Sequence, residues 1–274
     1  GLGYDLMEYR SKSLEKNQKL QKEALDYFSE VSRQPAEKII YCNHHMAHAC
    51  APLPNVRHLD QCLIFTLDGE GDGLCATVNL WKDGKLTVLD STSKRHSLGY
   101  YYSFTTGLLG MKPNEHEFKV MGMAPYARKK YYGGILEKLE ENIQVTDEGE
   151  WVSKPVPTKM LNTLDEIYRL QRFDNVCGAI QELSENLMTR WIRIWVEKTG
   201  CKDIAVSGGV FMNVKANQRV LEMDCVDSMF VMPSAGDETC AVGCAVWGYE
   251  QAGGQPPLDP IGHLYLGVDY GDAE

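Results

Sequence analysis

Between Tyr41 and Gly73 the chain runs YCNHHMAHACAPLP (41–54) and, after six intervening residues, QCLIFTLDGEGDG (61–73). The first segment predicts a helix capped by Asn43 and stopped by Pro52 and Pro54. His44 and His48, four residues apart, then share one helical face, whereas His45 points about 100° away and is not counted as a ligand. The second segment predicts a buried strand, CLIFTLD, with Asp68 at its end and Asp72 in the turn behind it. Imidazole nitrogen and carboxylate oxygen together suit a divalent cation of borderline softness, such as zinc or iron. HHMAH lacks the glutamate of the HExxH zinc proteases, so chemistry of that kind has no general base. The expectation is a metal-dependent nucleotide site.

Outward from that core, LCATVNLW and KLTVLD continue a β-meander through the turn Lys82-Asp83-Gly84. Upstream, Leu14, Leu20, Leu25, Phe28 and Val31 mark an amphipathic surface helix over Ser11–Arg33. Pro35 ends it, and Lys38–Tyr41 reads as a short strand. Downstream, LGYYYSFTTGLLG (98–110) and NEHEFKVMGMAPYA (114–127) have helical spacing, with Tyr100, Tyr101 and Tyr102 read as packing residues. TDEGEWVSK (146–154) and Pro155–Pro157 read as a polar, loop-like insertion. A long amphipathic helix is predicted from about Val176 to Lys198, stopping at Gly200. DIAVSGGVFMNVKANQRVLEM (203–223) and SMFVMPSAGDETCAVGCAVWGYEQ (228–251) each read as strand, glycine turn, helix. A meander followed by such units indicates an α/β domain.

The chain's 274 residues allow one large domain or two lobes, and 43% hydrophobic with 24% charged residues is ordinary for a globular protein. A formal charge of -10 argues against a nucleic-acid grip, which needs a basic stripe. The nine cysteines are odd in number, scattered, and without a CxxC pair. They read as reduced thiols of a cytoplasmic protein rather than a disulfide framework or zinc ribbon. No apolar run reaches the roughly 18 residues of a membrane span, and the N-terminus is no signal peptide.

Further motifs surround a nucleotide reading. In DGEGDG, Gly69, Gly71 and Gly73 let backbone N–H groups approach phosphate oxygens, with Asp68 or Asp72 holding a cation beside them. A strand follows rather than a helix, so the GxGxxG dinucleotide reading fails, and the EF-hand glutamate is missing. Gly208 and Gly209 permit close approach of a base or ribose, and Asn213 supplies either a specific hydrogen bond or a helix cap. Gly236 and Asp237 repeat that arrangement, with Asp237 at a helix N-terminus where a carboxylate is favoured in any case. Lys119 either meets a phosphate-like oxygen or pairs with Glu115 on a solvated face.

Taken in order, HHMAHA, TLDGEGDG, LGYYYSFTTGLLG with NEHEFKVMGMAPYA, SGGVFMNVKANQRV and PSAGDETCAVGCA resemble the O-carbamoyltransferases, which include nodulation-factor and antibiotic carbamoyltransferases. The likeness covers about residues 38–253, and HLYLGVDYGDAE resembles the segment beyond. It implies the actin-like ATPase fold of actin, the sugar kinases and the heat-shock chaperones, in which two α/β lobes enclose a nucleotide. It also implies metal ligands at His44, His48, Asp68 and Asp237, a phosphate hairpin at TLDGEGDG, an adenosine turn at SGGV, and Asn213 at the asparagine after that turn.

The implied activity uses carbamoyl phosphate and ATP. An adenylate-forming domain makes carbamoyl-adenylate, and the actin-like domain passes the carbamoyl group to a small hydroxyl-bearing acceptor. Fe(II) is the expected metal, with zinc or manganese as alternatives. The chain begins without the family's first phosphate hairpin and ends where the adenylate-forming domain should start. Expected parts are therefore a remnant of an incomplete N-terminal lobe over 1–58, a C-terminal actin-like lobe over 59–254 with an insertion near 144–160, and a tail over 255–274. An incomplete lobe leaves apolar surface that invites a homodimer.

Three rivals share some of this pattern. A tRNA threonylcarbamoyl transferase has the fold and metal pair, but its acceptor is a polyanion, against which the charge of -10 speaks. The hydrogenase-maturation carbamoyltransferase carries CxxC segments absent here. A non-catalytic actin-like ATP-binding module is the remaining alternative.

Overall fold

The computed structural model describes residues 19, 22–254, 260, 262, 263, 267 and 268. The chain divides into two compact units, Gly1–Cys42 and Asn43–Glu274. Within the second unit, the histidine helix packs with the sheet.

In the first unit, a helix α1 spans residues 22–32 and ends at Arg33, whose backbone is left-handed (φ 55°). Residues 11–18, 20 and 21 of the expected helix lie outside the described residues. Tyr27, Phe28 and Val31 are exposed. The expected strand over Lys38–Tyr41 is not formed: Ala36–Lys38 is a 3-10 turn, and no strand of either sheet includes residues 38–41.

The second unit is built on a five-stranded sheet in the order β3-β2-β1-β6-β7. Strands β1 (Gln61–Gly71), β2 (Leu74–Lys82) and β3 (Lys85–Ser93) form the expected antiparallel meander. Strands β6 (Asp203–Ser207) and β7 (Ser228–Val231) extend it in parallel on the other side of β1, with Phe65 opposite both Val78 and Val206. Central β1 is buried on both faces, which explains why CLIF is an unbroken apolar run rather than an alternating one.

Successive side chains of β1 part to opposite faces. Leu63, Phe65 and Leu67 enter the larger core. There, helix α8 (Phe173–Thr199) sets Trp191 edge-on to Phe65, with ring centroids 5.0 Å apart. Cys62 and Ile64 enter a smaller core on the opposite face, beneath α2 (His44–Cys50), the short α3 (Leu53–Val56) and α10 (Cys240–Gln251). Full burial of each such large side chain contributes about 1.5–3 kcal/mol. The result is an α/β sandwich with helices on both faces.

Between β3 and β6 lie α4 (Leu98–Leu108), α5 (Glu117–Met123), α6 (Lys129–Glu140) and α7 (Pro157–Tyr168), which with α8 cover the first face. Tyr101 and Tyr102 are buried there and donate to the Asn142 carbonyl and to Gln181. Part of the segment read as loop-like is instead a strand, β5 (Trp151–Ser153), which pairs with β4 (Ile143–Val145) in a short hairpin. Ile143, Val145 and Trp151 alternate inward, and Trp151 meets Trp191 at 5.4 Å. Three apolar anchors in a polar stretch suffice to seat it on the core. Helix α8 ends at Gly200 as expected, in the left-handed conformation (φ 69°) that glycine adopts without strain. Among the described residues no helix is long and apolar enough to cross a membrane.

His45 shows how the sheet receives α2. It is 1% exposed, and its Nδ1 lies 2.7 Å from the Thr66 hydroxyl, which bonds in turn to Thr77. Burial, above all, lowers its pKa from 6.5 to about 4. Between those values the unfolded chain binds a proton that the folded chain refuses. Stability is therefore full above pH 6.5 and declines as pH falls toward 4, by up to about 3 kcal/mol. Chemical denaturation across that range measures it, and His45→Gln, which keeps a partner for Thr66, flattens the slope.

Candidate metal centre

Four side chains from three separate chain segments converge above the C-terminal end of β1. Helix α2 presents His44 and His48 one turn apart, its N-terminus capped by Asn43, which accepts from the Met46 N–H at 3.2 Å. Strand β1 delivers Asp68. Asp237 comes from a 3-10 turn, Asp237–Thr239, between β7 and α10 (Cys240–Gln251). His44 Nε2 lies 3.0 Å from Asp68 Oδ2, 3.1 Å from His48 Nε2 and 3.7 Å from Asp237 Oδ1. His48 Nε2 lies 3.4 Å from Asp68 Oδ2 and 3.7 Å from Asp237 Oδ1.

These separations suit a cation. With metal–ligand bonds of about 2.1 Å, neighbouring donors stand roughly 3.0 Å apart at right angles and roughly 3.4 Å apart in a tetrahedron. The charges agree. Burial opposes ionisation of Asp68, but its hydrogen bonds, with His44 and His48 first and then with the Gly69 N–H and Asp237, hold the carboxyl far below the usual range. The hydrogen bond to Asp68 raises His44 against partial burial. Asp237, three-quarters exposed, is raised by partial burial first, then by its hydrogen bond with Asp68 and by the Asp68 charge. A divalent ion between the two carboxylates relieves their mutual repulsion.

The surroundings prepare His48 to be a ligand. Its imidazole is fully buried, and Nδ1 lies 3.2 Å from the Ser207 hydroxyl and 3.4 Å from that of Thr239. The Thr239 hydroxyl spends its own proton on the Gly236 carbonyl at 2.8 Å, so toward His48 it only accepts. Nδ1 then carries the proton, leaving the Nε2 lone pair facing His44, Asp68 and Asp237. Replacing both hydroxyls, as Ser207→Ala with Thr239→Val, should weaken cation binding about 10–100-fold. Calorimetric titration with Mn(II) measures it.

The remaining residues singled out from sequence have varied placements. Asp72 accepts from the His44 backbone N–H at 2.7 Å and from Asn43 Nδ2 at 3.1 Å, so it anchors the start of α2 instead of joining the four donors. A Cβ at Gly71 would fall inside the His44 ring. Gly208 has φ 105° and a Cβ there would strike the Leu67 backbone, while one at Gly209 would lie 3.0 Å from Asp68 Oδ1. Both glycines thus bring their turn against the end of β1. Gly236 precedes the Asp237 turn, and its carbonyl takes the Thr239 proton.

Two further candidates make contacts of their own. The Asn213 amide is 9% exposed and turned inward: it exchanges two hydrogen bonds with Gln181 and caps α9 (Val214–Leu221), accepting from the Ala216 N–H. Lys119 is exposed, with Nζ over the Phe118 ring at 5.7 Å, and Glu115 pairs instead with Lys112. Ser207 and Thr239 were not singled out as positioning groups. Only the folded chain shows which hydroxyls stand behind an imidazole. Cys240, whose Sγ is 3.6 Å from His48 Nε2, was not singled out either. Burial pushes its thiol up to about 12.

The family described as the carbamoyltransferase N-terminus matches residues 5–246. Nodulation protein NolNO of Sinorhizobium fredii is 28% identical over 239 residues, covering 85% of this chain and 35% of the relative. Nodulation protein NolO of Bradyrhizobium diazoefficiens is 27% identical over 237 residues, covering 85% and 42%. The chain thus spans about two fifths of the length of these curated relatives. Among solved structures, full-length HypF in its phosphate- and nucleotide-bound form aligns at a TM-score of 0.47 and 13% identity, over 79% of this chain and 44% of that one. Component A of (R)-2-hydroxyglutaryl-CoA dehydratase from Acidaminococcus fermentans aligns at 0.46 and 13%, over 77% and 69%. Because the family's pattern runs from ahead of the histidine helix into the helix that follows Asp237, this chain belongs to the carbamoyltransferase family, in its N-terminal part.

Proposed function

We propose that this chain is the transfer domain of an ATP-dependent O-carbamoyltransferase of actin-like fold, moving a carbamoyl group from carbamoyl-adenylate to a hydroxyl at the four-donor centre. The observation that carries the reading is the convergence of His44, His48, Asp68 and Asp237, whose donor atoms all lie within 4.8 Å of one another. Membership of the family and the chain's share of its relatives' length support a second, adenylate-forming domain as partner.

In this reading the two imidazoles and two carboxylates hold a divalent cation, Fe(II) first and zinc or manganese as alternatives. When bound, the cation supplies Lewis acidity and a template for the adenylate. The protein's own part is positional. Ser207 and Thr239 hold the His48 proton on Nδ1, and Asp72 fixes the start of α2. The turns at Gly208, Gly209 and Gly236 lie at the same end of the sheet, with Gly208 and Gly236 buried and Gly209 partly exposed beside Asp68, and it is at Gly209 that a phosphate or ribose can approach the backbone. The acceptor oxygen attacks the carbamoyl carbon, the bond from that carbon to the phosphate oxygen breaks, AMP leaves, and the acceptor's proton passes to solvent. No side-chain nucleophile is used, and Lys119 takes no step.

The test supplies ATP, carbamoyl phosphate, Fe(II) or Mn(II), a panel of hydroxyl acceptors and the adenylate-forming partner, and follows AMP release together with carbamoylated product. Transfer should require the cation. Transfer that persists undiminished after chelation, or in an Asp68→Asn variant, overturns the reading.

A further inference from the structure

We propose that His44, His48 and Cys240 form a second cation centre that overlaps the four-donor one and takes thiol-seeking metals in its place. The inference rests on the same two imidazoles as the reading above, and concerns what else can occupy them. Cys240 opens α10 three residues after Asp237, and its Sγ stands 3.6 Å from His48 Nε2. The two imidazole nitrogens and this sulfur lie within 4.8 Å of one another. The sulfur does not belong to the group that contains Asp68 and Asp237, so the imidazoles serve two different third sides.

The two sets differ in softness. Two nitrogens and two carboxylate oxygens accept harder divalent ions such as Mn(II) and Fe(II). Two nitrogens and a thiolate select softer ones, such as Cd(II) or Cu(I). Because the imidazole nitrogens are shared, one ion excludes the other. A soft ion displaces the thiol proton into solvent, draws the shared nitrogens toward Cys240, and leaves Asp68 and Asp237 without their cation. The Cys240 sulfur reaches a candidate metal-binding imidazole directly. The chemistry that recognises it is a thiophilic metal ion, and its effect is inhibitory.

The experiment titrates Cd(II) into the chain preloaded with Mn(II), reading the ultraviolet thiolate-to-cadmium charge-transfer band and the release of Mn(II) by electron paramagnetic resonance. The wild type should show both together. Cys240→Ser should lose that increment of the band and weaken Cd(II) binding on the order of 100-fold, while binding Mn(II) as before. Asp237→Asn should weaken Mn(II) binding and keep the Cd(II) band, and thermal melts of both variants check that they fold. An unchanged band in Cys240→Ser, or Mn(II) displaced with no band in the wild type, overturns the proposal. Absence of Mn(II) binding with a Cys240-dependent Cd(II) band would instead sink the four-donor reading and leave this centre standing.

Discussion

His48→Ala should lower the affinity of the chain for Mn(II) or Fe(II) by on the order of 100-fold or more. Loss of groups that merely orient a ligand typically costs 10–100-fold, and loss of the ligand itself costs at least as much. The effect is large at this position because His48 is buried and preset. Its Nδ1 is held by Ser207 and Thr239, and its Nε2 lies within 3.7 Å of all three other donors. Alanine leaves those hydroxyls facing a void and leaves Asp68 with one imidazole partner instead of two. Calorimetric titration, with a thermal melt to establish folding, reads the result. A folded variant with unchanged affinity removes His48 from the ligand set, and with it the geometric basis for the transfer reaction.

Gly243→Ala, outside the donor set, should destabilise the protein and weaken cation binding at once. Helix α10 crosses α2 so closely that a Cβ on Gly243 would lie far inside contact with the Ala47 carbonyl oxygen. Neither atom belongs to a flexible side chain, so the helices must separate. Overpacking of this kind costs about 3 kcal/mol at the upper end of its usual range. The better helix propensity of alanine returns about 1 kcal/mol. The clash wins, and a net loss of about 2 kcal/mol lowers Tm by about 4–8 °C. The same separation pulls Asp237 and Thr239, just before α10, away from His44 and His48. A melting temperature within a degree of wild type would show that α2 and α10 are not seated as described.

Much of this was legible because the relevant signals are local. An unbroken apolar run predicts a strand covered on both faces, and β1 is one. The interval from His44 to His48 is one helical turn, so a helix alone brings the two imidazoles together. Strand, glycine turn and helix recur at 203–221 and 228–251 as read, and Gly200 stops α8 because a left-handed backbone favours glycine. Where local signals misled, a distant partner decided. Residues 38–41 have strand-like composition but enter no strand of either sheet, and the stretch near 144–160 looks polar but is seated by inward side chains such as Val145 and Trp151.

What residue identity and spacing determined, then, was a pair of imidazoles on one helix face, a carboxylate at a strand end, and an α/β order of elements. Only the tertiary structure decided that Asp237 joins Asp68 while Asp72 turns to the helix backbone, and that the Asn213 amide faces Gln181. It alone placed Ser207, Thr239 and Cys240 around one imidazole. The reason is physical: intervals along a chain fix directions within a single helix or strand, whereas distances between elements follow from how their buried faces pack, at close crossings such as Gly243 on Ala47 that no interval encodes.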